Sequence, residues 1–304
     1  MKFDVVGFGA LNVDKLYRVE QIAREEEESS VVSYTEACGG SAANTIVGLS
    51  RLGLNTGYLG KVARDREGKL LLDDFEKEKV DTRGIVIAED GRSGIVMGFV
   101  DKEGERALYI DPGANSTLTF EEIDQKYANN AALMHITTFV GEKTFQVQKK
   151  LLSSLSNEVK LSLDPGALYA SKSLTALESM IRRCHVIFPN EHELKLLTGE
   201  DYVKGAEILL HEGALIVAVK LGSKGCYVTD GTEKYLIPSV ATKVIDTTGA
   251  GDAFCAGFLY GLSRNRKLKL CGEIGNFVAS KCIRKVGART GLPHLADMPA
   301  DLLP

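Results

Sequence analysis

The segment Asp246–Gly261, DTTGAGDAFCAGFLYG, places small residues and one acid at the start of an apolar helix. The first N–H groups of a helix have no intrahelical acceptor and carry the positive end of its dipole. Gly249, Ala250 and Gly251 would let an anion approach these amides closely. Asp252 would repel a phosphate, so it is better explained as the base for an attacking hydroxyl group. The alternative is a tight turn followed by an acid that stabilises the helix start.

Other sequence motifs for phosphate binding are incomplete or absent. The segment Gly7–Asn12, GFGALN, has two glycines of the dinucleotide fingerprint but ends on Asn12 where the third glycine is required. The P-loop pattern G-x-x-x-x-G-K-[S/T] does not occur. A nicotinamide- or flavin-binding fold is therefore disfavoured, and the helix start at Gly249 is the candidate anion site.

The composition is typical of a globular enzyme, because 44% of the 304 residues are hydrophobic and 26% are charged. The net charge of −4 gives no electrostatic reason to expect a nucleic acid or an anionic membrane as partner. The six cysteines form no C-x-x-C pair, and no apolar run is long enough to span a membrane. We expect reduced thiols, no signal peptide and a cytoplasmic location.

Apolar strands alternate with amphipathic helices along most of the chain, as in ALMHIT at residues 132–137 followed by EKTFQVQKKLLSSL. This alternation indicates a mostly parallel sheet covered by helices on both faces, in a single α/β domain over residues 1–304. Two segments break the pattern, at about residues 12–38 and 91–113. The second has two β-rich arms around DKEG, which is typical of a hairpin. We predict that both segments form a small β lid.

Several motifs resemble those of one enzyme family. DTTGAGDAFCAGF resembles the C-terminal signature of the ribokinase-like (PfkB) carbohydrate kinases, and GGSAANTIVGLSRLGLNTGYLGKVARDREG resembles their N-terminal signature. FPNEHE, VKLGSKG and DPGANSTLT are similar to further family motifs, and all occur in the family's order over nearly the whole chain. The resemblance implies a ribokinase-like three-layer α/β/α fold with a small β lid. It also implies transfer of the γ-phosphoryl group of ATP to a primary hydroxyl group.

The resemblance assigns roles to the residues nearest the reaction. Asp252 matches the catalytic base, and Gly249, Ala250 and Gly251 match the anion hole that stabilises the transferring group. Asp14 matches an acid that binds hydroxyl groups of the acceptor. The substrate-binding di-glycine and asparagine correspond to Gly39, Gly40 and Asn44.

The resemblance also assigns residues to the nucleotide and the cations. Asn190 and Glu193 match a motif that helps to place Mg²⁺, mostly through water. Asp246 and Thr248 match positions that bind a monovalent cation such as K⁺ in some members. The segment that approaches the nucleotide contains Lys220, Ser223 and Gly225, and the positions that flank the adenine are Asn276 and Ala279.

The sequence leaves the acceptor open. A small sugar, as in ribokinases and fructokinases, is favoured over the ribose of a nucleoside, and a non-catalytic sugar- or nucleotide-binding protein is a distant third. The chain has no tryptophan, so stacking on a base would need a phenylalanine or tyrosine, such as Phe99, Tyr109 or Phe139. The apolar segment Gly94–Val100, GIVMGFV, favours burial on both faces. We therefore expect a homodimer that forms through the lid.

Overall fold

The computed structural model describes residues 2–303, and within them thirteen strands form two sheets. The strands are β1 (Phe3–Phe8), β2 (Asn12–Val19), β3 (Val31–Gly39), β4 (Thr56–Ala63), β5 (Asp81–Ala88), β6 (Gly94–Val100), β7 (Arg106–Asp111), β8 (Ala131–Ile136), β9 (Lys160–Leu163), β10 (Cys184–Ile187), β11 (Val217–Lys220), β12 (Cys226–Thr229) and β13 (Lys234–Ile237). The large sheet has nine strands in the order β13-β12-β11-β10-β9-β8-β1-β4-β5. Its strands are parallel except for the antiparallel pairs β11–β12 and β12–β13.

Helices cover both faces of the large sheet. They are α1 (Ser41–Arg51), α2 (Arg66–Lys77), α3 (Gln125–Asn129), α4 (Glu142–Ser154), α5 (Gly166–Ala170), α6 (Leu174–Ile181), α7 (Glu191–Thr198), α8 (Tyr202–His211), α9 (Ala250–Ser263) and α10 (Leu268–Cys282). One buried cluster contains apolar residues of α1, α2, α9 and α10, and a second contains residues of α3 to α8. The predicted three-layer α/β/α fold is therefore confirmed. None of the described helices has the length and apolar character needed to cross a membrane.

The chain reverses its direction across the large sheet at β1, which lies between β8 and β4. Ligands of open α/β sheets bind at such a switch point, beyond the carboxyl ends of the strands. Thr137, Asp164 and Asn190 follow β8, β9 and β10, and Lys220 ends β11. The topology therefore gathers polar side chains from four neighbouring strands at one edge of the sheet.

Helix α9 is held in place by close backbone packing against α10. A Cβ atom placed on Gly257 would lie 2.6 Å from the carbonyl oxygen of Ile274, and one on Gly275 would lie 2.7 Å from the ring of Phe254. Side chains at these two glycines would push the helices apart. Residues Ala253–Gly261 are buried in succession, so the helix can move only if the core moves with it.

The small sheet has the order β3-β2-β6-β7, and its strands lie within or next to the two segments predicted to form a lid. Strand β2 pairs antiparallel with β3 and parallel with β6, and β6 pairs antiparallel with β7. The side chain of Asn115, which follows β7, is bonded to the backbone of Leu11, which precedes β2. Its Oδ1 accepts from the N–H of Leu11 at 2.9 Å, and its Nδ2 donates to the carbonyl of Leu11 at 2.8 Å.

Candidate active site

Two cavities meet at the carboxyl edge of the large sheet. The larger has a volume of about 620 Å³, which is within the usual range for small-molecule sites. The smaller has a volume of about 110 Å³ and lies under the small sheet, where Asn12 and Ile110 line it together with Gly40 and Thr138. Ser41, the first residue of α1, lines both cavities. A ligand in one cavity would therefore lie next to a ligand in the other.

The carboxyl group of Asp252 lines the larger cavity from the first turn of α9. Its Oδ2 accepts a hydrogen bond of 2.8 Å from Nδ2 of Asn44. Burial raises the pKa of Asp252 to about 7; the hydrogen bond from Asn44 opposes this rise, and the negative charge of Asp164 adds to it. A carboxyl group that ionises near neutral pH can both take up and release a proton, as a general base must.

The start of α9 has the geometry of a candidate anion site. Gly249 precedes the helix with a φ of 75°, and a Cβ atom there would lie 2.5 Å from Cβ of Ala288, so only glycine fits. The N–H of Ala250 donates to the carbonyl of Thr247 at 3.1 Å. Ala250 and Gly251 line the larger cavity. The first turn of α9 therefore presents its backbone to the cavity beside Asp252.

The four residues predicted to bind the acceptor lie around the start of α1. Asp14 on β2 packs against Gly39 on β3. A Cβ atom placed on Gly39 would lie only 2.3 Å from Oδ2 of Asp14. Burial raises the pKa of Asp14 to about 6, and the positive charge of Arg289 opposes that rise. The residue that caps α1 is Gly40, with a φ of 102°, whereas Asn44 is buried within the helix. Asn44 is therefore not the residue that caps this helix.

Lys220 forms a buried ion pair at the floor of the larger cavity. Its Nζ lies 2.5 Å from Oδ2 of Asp164, and the two side chains are 14% and 8% exposed. Burial opposes the charge on Lys220, but the carboxylate of Asp164 outweighs this effect and raises the pKa of the amine. A Cβ atom placed on Gly251 would lie 3.4 Å from this Nζ. The ammonium group thus lies beside the candidate anion site.

Asn190 and Glu193 form a reciprocal cap at the start of α7. The N–H of each residue donates to the side chain of the other at 2.8 Å. Glu193 is 7% exposed and lines the larger cavity with Asn190. Burial raises the pKa of Glu193, and the charge of Lys220 opposes the rise.

Within residues 2–303 no cluster of three or more acidic, histidine or cysteine side chains could enclose a metal. The pair of Asn190 and Glu193 fits Mg²⁺ held mainly by water and nucleotide phosphates.

The predicted nucleotide-binding residues all line the larger cavity. Ser223 lies in an exposed turn after β11, and Gly225 follows with a φ of 97°. Asn276 is buried in α10, where its Nδ2 donates to the carbonyls of Ile237 and Pro238 at 3.2 and 3.0 Å. Ala279 is one turn further along α10 and lines the same cavity. These residues and Lys220 therefore surround one space.

The carboxylate of Asp246 fastens the loop before α9. Its Oδ1 accepts from the N–H and the hydroxyl of Thr248 at 3.0 and 2.7 Å, and its Oδ2 accepts from the N–H of Gly287 at 2.8 Å. Burial opposes ionisation of Asp246, but these hydrogen bonds keep its pKa below the usual value. Neither Asp246 nor Thr248 lines either of the two cavities. The monovalent-cation site stays a prediction.

Three polar residues of the site were not found from the sequence. Asp164 follows the buried segment KLSL directly, and its place after a strand is a signal that could have identified it. Ser41 follows the di-glycine and could have been included with it. Arg289 lies in the polar segment KVGARTG, which reads as a surface loop, yet the side chain is 9% exposed and bonds to Asn44.

Comparison with known proteins agrees with this geometry. Residues 2–295 match the model of the family described as pfkB family carbohydrate kinase. A protein of Archaeoglobus fulgidus described as an uncharacterized sugar kinase is 46% identical over 83% of the chain and 100% of its own length. An ATP-dependent ribose-1-phosphate kinase of Halopiger xanaduensis is 31% identical over 94% of each protein.

Solved structures show the same fold. A ribokinase of Arabidopsis thaliana, complexed with ribose and ATP, superposes with a TM-score of 0.87 over 97% of each chain at 23% identity. The match of the family model covers nearly all of the described residues, including both cavities. The chain therefore belongs to the pfkB family of carbohydrate kinases, which confirms the family and the enzyme class predicted from its motifs.

Proposed function

We propose that the protein transfers the γ-phosphoryl group of ATP to a primary hydroxyl group of a small sugar. The observation that carries this proposal is the position of Asp252, beside a helix start and next to the point where two cavities meet. The larger cavity has the size and the residues for a nucleotide, and the smaller one has polar groups for a sugar. A carboxylate between donor and acceptor can take the proton of the attacking hydroxyl group.

The smaller cavity favours a sugar over a nucleoside. No aromatic side chain lines it among the described residues. Of the aromatic residues considered for base stacking, Phe99 and Tyr109 line a separate pocket on the small sheet, and Phe139 is buried in the core. No lysine or arginine lines the cavity either, which favours an acceptor recognised by its hydroxyl groups. Asp14 lies on the same face of β2 as Asn12, which lines the cavity.

The chemical step is an in-line displacement at phosphorus. The acceptor hydroxyl gives its proton to the carboxylate of Asp252 as its oxygen forms a bond to the γ-phosphorus. The bond from that phosphorus to the β–γ bridging oxygen breaks, and ADP leaves with the electron pair. Asn44 keeps the carboxylate of Asp252 in place during this transfer through its hydrogen bond of 2.8 Å.

Two groups of this chain stabilise the charge on the transferring phosphoryl group. The first turn of α9 supplies the positive end of the helix dipole and the backbone of Gly251, whereas the N–H of Ala250 is bonded to the carbonyl of Thr247. Lys220 supplies an ammonium group next to Gly251, paired on its other side with Asp164. Asn190 and Glu193 would hold Mg²⁺ through water, and the ion would neutralise the nucleotide phosphates. K⁺ at Asp246 and Thr248 would support the loop that precedes α9.

The small sheet covers the smaller cavity through Asn12 and Ile110. Arg106, at the start of β7, faces the loop before α9 closely enough for its positive charge to contribute to the lowered pKa of Asp246. We propose that this sheet acts as a lid. Closure over both ligands would exclude water and so suppress hydrolysis of ATP.

A coupled assay of ADP release tests the proposed function. Ribose, fructose, ribose 1-phosphate and adenosine are offered separately with ATP and Mg²⁺. We expect turnover with a free sugar at least about tenfold above that with ribose 1-phosphate or adenosine, a difference of about 1.4 kcal/mol in transition-state binding. Turnover with adenosine alone would contradict the sugar proposal, and ATP binding without turnover on any acceptor would contradict the kinase activity.

We further propose a homodimer that forms through the small sheet. Its edge strands β3 and β7 have unpaired outer edges and carry exposed apolar side chains, including Val32 at 61%, Leu108 at 63% and Tyr109 at 58%. A second copy would bury these side chains. Strand β6, which was expected to carry the contact, lies inside the sheet and is partly covered.

Light scattering checks this assembly with two matched variants. We expect the wild-type protein to have twice the 32.9 kDa mass of one chain at micromolar concentration. Leu108→Glu should yield monomers, because a charge would be buried in the contact. Leu236→Glu is the control, since this side chain is 62% exposed on the distant strand β13. A monomeric wild-type protein, or equal dissociation of both variants, would contradict the proposal.

A further inference from the structure

The side chain of Arg289 is buried behind the candidate base, although it lines neither cavity. Its Nε donates to Oδ1 of Asn44 at 2.8 Å, and its Nη2 donates to the carbonyl oxygen of Gly39 at 3.2 Å. Its Nη1 forms an ion pair with Asp74 on α2. All three nitrogen atoms of the guanidinium group therefore have partners, and the group is fixed in one orientation.

The contact with Arg289 determines which way the amide of Asn44 points. A guanidinium group has only donors, so the atom of Asn44 that faces it must be the carbonyl oxygen Oδ1. The Nδ2 group then faces Asp252 and donates to its Oδ2 at 2.8 Å. Without Arg289 the amide could turn over and present its oxygen to the carboxylate, and that arrangement favours the protonated acid.

We propose that Arg289 is a positioning residue that keeps Asp252 ionised by fixing the amide of Asn44. The connection runs from Asp74 through Arg289 and Asn44 to Asp252. Its effect on the reaction is to supply the unprotonated base at neutral pH. This inference rests on the proposed kinase activity, and it adds a role that is separate from substrate binding.

Other groups also act on the charge of Asp252: the side-chain hydrogen bond with Ser41 and the charge of Lys220 favour its ionised form, and the charge of Asp164 opposes it. The thiols of Cys255 and Cys282 and the phenol of Tyr58 have pKa values raised by burial, so they stay neutral near pH 7. The ammonium group of Lys220 stays charged because the pKa of its amine is raised. The charged and titratable groups that interact with Asp252 are Asp164, Lys220, Cys255, Cys282 and Tyr58, and Arg289 reaches it through Asn44.

The test is the pH dependence of kcat at a saturating concentration of sugar and ATP. For the wild-type protein we expect kcat to rise with pH through a midpoint near 7, as the carboxyl group of Asp252 loses its proton. Arg289→Met should move this midpoint upward by about half to one pH unit, because the hydrogen bond that favours the ionised form is lost. Activity should then recover at high pH.

Arg51→Met is the matched control. Arg51 holds the same loop, because its Nη1 donates to the carbonyls of Arg289 and Leu292 at 2.7 and 3.1 Å and its other nitrogens bond to Glu78. It has no bond to Asn44. Arg51→Met should lower the midpoint temperature of unfolding and leave the midpoint of the pH profile unchanged. An equal shift in both variants would show general loosening and overturn the inference.

A double-mutant cycle shows whether Arg289 acts through Asn44. Asn44→Leu removes the hydrogen bond to Asp252 directly and should shift the pH midpoint upward as well. Adding Arg289→Met to Asn44→Leu should then produce no further shift, whereas additive shifts would overturn the inference. If Arg289→Met does not fold, Arg289→Lys takes its place in the cycle, with a smaller upward shift expected. Folded Arg289 variants with the wild-type midpoint would contradict the inference. A wild-type protein without turnover would instead contradict the proposed function.

Discussion

Asp252→Asn is expected to lower kcat by about 10²- to 10⁴-fold, the usual contribution of a general base. The amide of asparagine cannot take a proton from the attacking hydroxyl group. Its carbonyl oxygen can still accept the hydrogen bond from Asn44, so the fold and the site geometry should persist. The measurements are kcat by coupled assay and ATP affinity by calorimetry. We expect ATP affinity within about threefold of the wild-type value, a difference of about 0.65 kcal/mol.

Asp201→Asn is a suitable control for this variant. Asp201 is an exposed acid at the start of α8, where it accepts from the N–H groups of Val203 and Lys204 at 2.8 and 3.1 Å. Asparagine caps helices about as well as aspartate, and the residue is outside both cavities. Asp201→Asn should keep wild-type turnover. The assignment of the base would be wrong if Asp252→Asn kept turnover within tenfold of the wild-type rate.

Lys220→Met is expected to have two separable effects. Loss of the positive charge beside the helix start should lower kcat by about 10²- to 10³-fold, as removal of a preorganised electrostatic group does in other enzymes. Loss of the partner of Asp164 should also reduce the free energy of unfolding by about 3 kcal/mol, because a buried charge is left unpaired. Activity and thermal unfolding are measured on the same preparation.

The double variant Lys220→Met with Asp164→Asn separates these effects. It has no unpaired charge, so its stability should return toward that of the wild-type protein while kcat stays low. Lys234→Met is the control for removal of a lysine from an ion pair, since its pair with Glu207 is about half exposed. Lys234→Met should change neither kcat nor the free energy of unfolding measurably. A double variant with nearly wild-type kcat would show that Lys220 only stabilises the fold.

The local parts of the site could be predicted from the sequence. The small residues before Asp252 predicted the start of a helix, and the structure places α9 there. The alternation of strands and helices specified the parallel sheet in the same way. These features depend on neighbouring residues, whose spacing is visible in one stretch of sequence.

The contacts between distant segments could not be predicted. Asn44 and Asp252 are 208 positions apart, and Arg289 and Asn44 are 245 positions apart. Both contacts depend on how α1, α9 and the segment after α10 pack, and spacing along the chain carries no information about that packing. The position of Asp14 against Gly39 also depends on the antiparallel register of β2 and β3. A shift of one residue would turn Asp14 to the other face of the sheet.

The two hydrogen bonds between the side chain of Asn115 and the backbone of Leu11 have a consequence for motion. They hold the point where the chain enters the small sheet, at Leu11, against the point where the chain leaves it. Ser93 is fixed in a similar way, because its N–H and hydroxyl donate to Asp65 at 2.7 and 2.6 Å. The small sheet is thus held by side-chain hydrogen bonds both at Leu11 and at Ser93, where β2 and β6 begin. If the sheet acts as the proposed lid, we expect it to move as one unit about these two attachments, so that the proposed acceptor cavity opens in a single movement.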